Sequence, residues 1–121
     1  IFEDKGENYF RKIEETITLK CLKLNNVIIS LGGGGFVNKE IRKEVLKNHL
    51  SFWLNWKNEI LIDRIKNSSK RPLASSASDN EIMNLIKKRV IVYSKALFEI
   101  KCDNLTKNQI VKKVLNIYET Y

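Results

Sequence analysis

A run of four glycines directly behind a β-forming stretch constrains this chain more than any other feature. The segment reads VIISLGGGGF, residues 27–36. Val27 to Leu31 have the composition of a short buried strand, and a strand that runs into Gly32–Gly35 ends in backbone without side chains. Such backbone can take positive φ and let N–H groups approach an anion or a hydroxylated ligand closely. The two best-known phosphate loops do not fit. A Walker A loop needs GxxxxGK[ST], but Lys39 lies between Asn38 and Glu40, and a dinucleotide fingerprint lacks its third glycine. From the glycines alone, a tight glycine-rich strand-to-helix turn is an equal alternative.

The rest of the chain alternates helix and strand signals. Phe10, Ile13, Ile17, Cys21 and Leu24 recur at three- and four-residue steps, predicting an amphipathic helix over 7–24. Asn38 caps an expected helix to about Lys47, with Ile41, Val45 and Leu46 inward. A second strand is expected at 50–54, LSFWL, then a helix from about Trp56 to Lys66. NSSKRPLASSAS, with Pro72, breaks the periodicity and reads as a loop over about 67–78. Ser78 and Glu81 have capping-box spacing for a helix to about Phe98, and a short strand covers roughly Glu99 to Cys102. Thr106 and Gln109 repeat the capping device before the last helix. Strands separated by helices predict an α/β fold, a three-layer parallel sheet with flanking helices. In such sheets ligands sit beyond the carboxyl ends of the strands, where the glycines lie.

Composition excludes more than it selects. At 121 residues the chain has the size of one domain, and no stretch approaches the roughly 20 apolar residues of a membrane span. The expectation is a cytoplasmic protein with no membrane partner. Cys21 and Cys102 match no metal-ligand spacing, and His49 is the sole histidine, so no metal site is expected and both cysteines read as core thiols. The net charge of +8 hints at anionic ligands, but no clustered patch with aromatic platforms supports a nucleic-acid partner. Trp53 and Trp56 read as packing residues.

Several motifs around the glycines share an order. IFEDKGENYFRKIEE places Gly6, Glu7, Phe10, Arg11 and Glu14 at a helix start. KRPLA puts Arg71 in the breaker loop, and KKRVIVY puts Arg89 four residues before Tyr93. With LGGG, this order and spacing resemble the shikimate kinase family along essentially the whole chain. Two local departures are RPLA in place of RPLL, and Val90, Ile91 and Val92 where the family usually has a proline and a leucine.

The resemblance implies a P-loop kinase-like, nucleoside monophosphate kinase-like fold. It also implies transfer of the ATP γ-phosphoryl group to the 3-hydroxyl of shikimate, with Mg2+, on the way to chorismate and the aromatic amino acids. It assigns Arg11 to the shikimate carboxylate, with Glu14 holding the guanidinium. Gly32, Gly33 and Gly34 would meet the substrate hydroxyls, Arg89 would be the second carboxylate arginine, and Phe2 and Phe10 would wall the pocket. Arg71, in the lid, would act catalytically on the ATP phosphates. Arg64 and Lys107 would flank the adenine. Read without the resemblance, Arg11 and Glu14 are an exposed helix pair, Arg71 a loop arginine and Phe10 a core residue.

The family's first third carries the Walker A loop and the acid that engages the nucleophilic hydroxyl, and residues 1–121 contain neither. The parent sheet would have five parallel strands, its first lying between those at 27–31 and 50–54. The expectation is a single partial domain over 1–121, monomeric, with its first strands missing, and inactive by itself. The rivals are a non-catalytic relative that binds shikimate, a related small-molecule kinase, and a basic nucleic-acid-binding domain.

Overall fold

The computed structural model describes residues 6–67 and 78–121. Phe2, Arg71 and nearly all of the expected lid lie outside the described residues. Contacts divide the chain into two compact units, Ile1–Ser51 and Phe52–Tyr121.

In the first unit, helix α1 spans Glu7–Cys21 and helix α2 spans Lys39–Asn48. Gly6 opens α1 at φ 84°, a conformation that a side chain rarely adopts, so the glycine is required by the backbone there. The helix ends three residues before the expected point. The apolar period continues to Leu24, but Asn26 turns the chain at φ 57°, and Leu22, not Leu24, is buried. Cys21 is half-buried, so it is not the core thiol expected. Asn38 caps α2 as expected, its side-chain oxygen accepting from the Ile41 N–H at 3.0 Å. Ile41 and Val45 are buried and α2 packs on α1, while Leu46 faces solvent.

The strand expected at Val27–Leu31 does not form. A strand exists only where a neighbour completes its ladder, and none of the described residues pairs with this stretch. Ile28 is 99% exposed instead of buried.

The second unit carries the sheet. Strand β1, Phe52–Asn55, is followed by helix α3, Asn58–Lys66, and helix α4, Asp79–Tyr93. Strand β2, Phe98–Lys101, and helix α5, Lys107–Thr120, complete it. The two strands run parallel with Phe52 opposite Phe98 and Leu54 opposite Ile100. The Phe52 and Phe98 rings stack at 5.4 Å, and Tyr121 meets Phe98 edge-on at 5.6 Å. The chain is thus α/β, a small parallel sheet flanked by helices. Ile82, Ile86, Ile100 and Cys102 form its buried core. Helix α4 stops at Tyr93, short of the expected Phe98, because Ser94 to Leu97 form a turn and Phe98 is taken into β2.

Local chemistry sets the remaining boundaries. Thr106 and Gln109 form a complete capping box, whereas Ser78 accepts from the Glu81 N–H at 3.2 Å without the reciprocal bond to its own backbone. An Asp103 oxygen accepts from the Lys57 N–H at 2.8 Å, tying the end of β2 to the start of α3.

Candidate substrate-binding site

The first unit builds a seat for one guanidinium. Arg11 and Glu14 stand one turn apart on α1, and Nη1 of Arg11 donates to Glu14 Oε1 at 3.0 Å. A Glu7 oxygen lies 3.7 Å from Nη2, beyond hydrogen-bond range. The Phe10 ring centroid is 5.5 Å from Cζ of Arg11, within cation–π reach. The Arg11 side chain remains 38% exposed, so its outer face is open to a ligand, while Glu14 behind it is only 18% exposed.

The glycines supply the floor of this seat. A β-carbon on Gly34 would fall 2.8 Å from Cζ and 3.0 Å from Nη2 of Arg11, and closer still to Nη1. One on Gly32 would lie 3.4 Å from Glu14 Oε2. None of Gly32–Gly35 has positive φ, so the expectation that they serve left-handed backbone is corrected: bare backbone here admits a side chain. The turn itself closes through the Gly35 N–H on the Gly32 carbonyl at 2.9 Å and the Asn38 N–H on the Gly35 carbonyl at 3.2 Å. Two carbonyls beyond the glycines, Phe36 and Val37, each accept from Nη1 of Arg42 at 3.1 Å. Sequence reading missed Arg42, and its one signal was a cation in the first turn of a helix, where the macrodipole disfavours it.

In the second unit, Arg89 is half-buried on α4 and its Nη1 donates to the Tyr93 hydroxyl at 3.2 Å. Val90, Ile91 and Val92 leave α4 unbroken, so Arg89 and Tyr93 lie one turn apart. Tyr93 packs on Trp53 with ring centroids 6.4 Å apart. Arg64, in the last turn of α3, lays its guanidinium 4.8 Å from the Trp56 ring centroid. Trp56 also lines a cleft of about 670 Å³ at the carboxyl ends of β1 and β2, with Asn55, Lys57, Lys87, Lys101 and Asp103. Trp53 packs as expected, whereas Trp56 meets the Arg64 guanidinium and lines the cleft. Lys107 is the exposed first residue of α5. Among the described residues no group of three His, Cys, Asp or Glu side chains is placed to hold a metal ion.

The profile described as shikimate kinase matches residues 1–119. The chain belongs to the shikimate kinase family. It is 31% identical to the shikimate kinase of Bartonella quintana over 121 residues, covering 99% of this chain and 58% of that one. The shikimate kinase of Aquifex aeolicus is 36% identical over 115 residues, covering 95% of this chain and 67% of the relative. The crystal structure of that enzyme superposes with a TM-score of 0.81 at 32% identity, over 99% of this chain and 71% of that chain. Shikimate kinase from Bacteroides thetaiotaomicron gives 0.76 at 25% identity, over 98% of this chain and 71% of that one. The chain therefore spans 58% of the length of the Bartonella quintana shikimate kinase. No helix among the described residues is long and apolar enough to cross a membrane.

Proposed function

We propose that residues 1–121 are one part of a shikimate kinase domain and carry its carboxylate-binding half. The reaction is transfer of the γ-phosphoryl group of ATP to the 3-hydroxyl of shikimate, giving shikimate 3-phosphate in the cytoplasmic route to chorismate. Arg11 supports this reading best. Its guanidinium is fixed from behind by Glu14 and seated on Gly34, with its outer face free. A planar fork so held suits a carboxylate, since orientation is settled before the ligand arrives. A ligand carboxylate would take the Nη2 position that Glu7 approaches only to 3.7 Å. Phe10 walls the same side, and the backbone of Gly32, Gly33 and Gly34 is assigned to the ring hydroxyls.

Arg89, aimed by Tyr93, is the second carboxylate arginine, and Phe2 adds an apolar wall. On the nucleotide side, Arg71 delivers positive charge to the ATP phosphates, and Arg64 and Lys107 flank the base. Phosphoryl transfer is largely positioning and charge neutralisation, which is what these arginines supply. Mg2+ accompanies the nucleotide phosphates, and no step is assigned to a metal held by the described side chains. The 121 residues contain no GxxxxGK[ST]. Phosphoryl transfer is therefore assigned to a monomeric polypeptide in which that loop is supplied.

Two measurements test the reading. Calorimetric titration of this chain with shikimate should show binding that Arg11→Ala removes. The coding sequence extended upstream of Ile1 should phosphorylate shikimate with ATP. An extended protein that carries a Walker A loop yet phosphorylates a different carboxylate-bearing alcohol, and not shikimate, would replace this function with that of a related kinase.

A further inference from the structure

We propose that Arg42 is a positioning residue for the carboxylate seat, holding the glycine turn in the shape that receives Arg11. The role of that seat rests on the function proposed above. Three consecutive carbonyls end on this one residue. Nη1 of Arg42 donates to Phe36 O and Val37 O, both at 3.1 Å, and its backbone N–H donates to Asn38 O at 3.0 Å. From Asn38 the bonds continue backwards. The Asn38 N–H donates to Gly35 O and the Gly35 N–H to Gly32 O. The turn so fixed places Gly34 under the Arg11 guanidinium and Gly32 beside Glu14. Gly35 and Phe36 are buried, so the Phe36 carbonyl has little room to re-form its bond with water, whereas the bond to Val37 O lies at the exposed edge of the turn.

The location of Arg42 argues against a role in the helix itself. A cation in the first turn of α2 opposes the helix dipole, and Asn38 already caps that end through Ile41. Two charge-assisted bonds to the preceding loop, both from Nη1, account for an arginine there, and a lysine, whose shorter side chain ends in a freely rotating, strongly hydrated ammonium, would hold the pair less well. Arg42 touches neither Arg11 nor Glu14 through any of these bonds; its effect on them passes through the turn.

Amide hydrogen exchange and Arg11 side-chain NMR on wild type, Arg42→Ala and Arg42→Lys test this without any ligand. In Arg42→Ala the Gly35 and Asn38 amides should exchange about tenfold faster or more, as expected for losing bonds to a charged donor, while α5 amides are unchanged. The Arg11 Nε–H resonance should move toward that of a free arginine, and Arg42→Lys should fall between. Shikimate Kd should rise by about tenfold in Arg42→Ala. Turn amides and an Arg11 resonance unchanged from wild type would overturn the proposal. Should Arg42→Ala fail to fold, the same comparison in Arg42→Lys decides, with unchanged turn amides again overturning it. Wild type that does not bind shikimate would refute the function proposed for the seat. The exchange and Arg11 measurements would still accept or reject Arg42 as the residue that shapes it.

Discussion

The guanidinium of Arg11 occupies the space that a β-carbon on Gly34 would fill, 2.8 Å from Cζ. Gly34→Ala therefore sets the new methyl against the far end of a flexible side chain, and the backbone there needs no positive φ. The fold should absorb the change within about 1 kcal/mol. Arg11 should not, because its seat is gone. Shikimate binding should weaken by about tenfold or more, while the melting temperature moves only slightly. Calorimetry beside a thermal melt separates the two, and equal loss of both would mean that Gly34 serves folding.

Glu14→Ala gives the opposite kind of test. Removing a carboxylate makes the seat more positive, so a purely electrostatic account expects tighter binding of an anion. The geometric account expects weaker binding, because Arg11 loses the 3.0 Å bond that aims it. We expect Kd for shikimate to rise several-fold, with stability changed by less than about 1 kcal/mol because the pair is partly solvated. The sign of the affinity change decides between the two accounts.

What was legible in the sequence was what is locally determined. Asn38, Ser78 and Thr106 marked helix starts because each cap bond closes within three residues. The segments at β1 and β2 were legible because each finds its neighbour within the described chain. Val27–Leu31 looked as strand-like as β1, yet it has no such neighbour, and a pattern of apolar residues does not reveal whether a ladder partner exists. The glycine run was seen, but its reason was not. A left-handed backbone and a bare floor for Arg11 leave the same four letters. Arg42 was missed as a support because its importance lies in what it points at, whereas the Arg89–Tyr93 spacing was visible because both residues stand on one helix.

The two capping devices in the second unit should differ in strength. Thr106 and Gln109 satisfy two backbone donors reciprocally, at 3.2 and 2.8 Å, whereas Ser78 satisfies one at 3.2 Å. Thr106→Ala should destabilise by about 1 to 2 kcal/mol and Ser78→Ala by about 0.5 to 1 kcal/mol. Chemical denaturation of the two variants checks the order. Ser78→Ala costing more than Thr106→Ala would show that the start of α4 supports more of the fold than its cap does.

Cys102 should make stability fall in alkali. It is 1% exposed at the end of β2, and burial pushes its thiol above the ordinary value of 9.0, because desolvation penalises the thiolate. The folded form thus binds the proton more tightly than the unfolded chain. This contribution is fully present below pH 9.0 and is lost as pH rises through the raised folded value. Denaturation midpoints should decline above that pH more steeply in wild type than in Cys102→Ala, whose missing thiol removes the titration at the expense of a small cavity. Below that pH, a thiol reagent should modify half-buried Cys21 well before Cys102, since the thiolate is the reactive species and Cys102 must first be exposed. Equal labelling rates in the folded protein would mean that β2 opens on the timescale of the reaction, and the alkaline slope should then vanish with it.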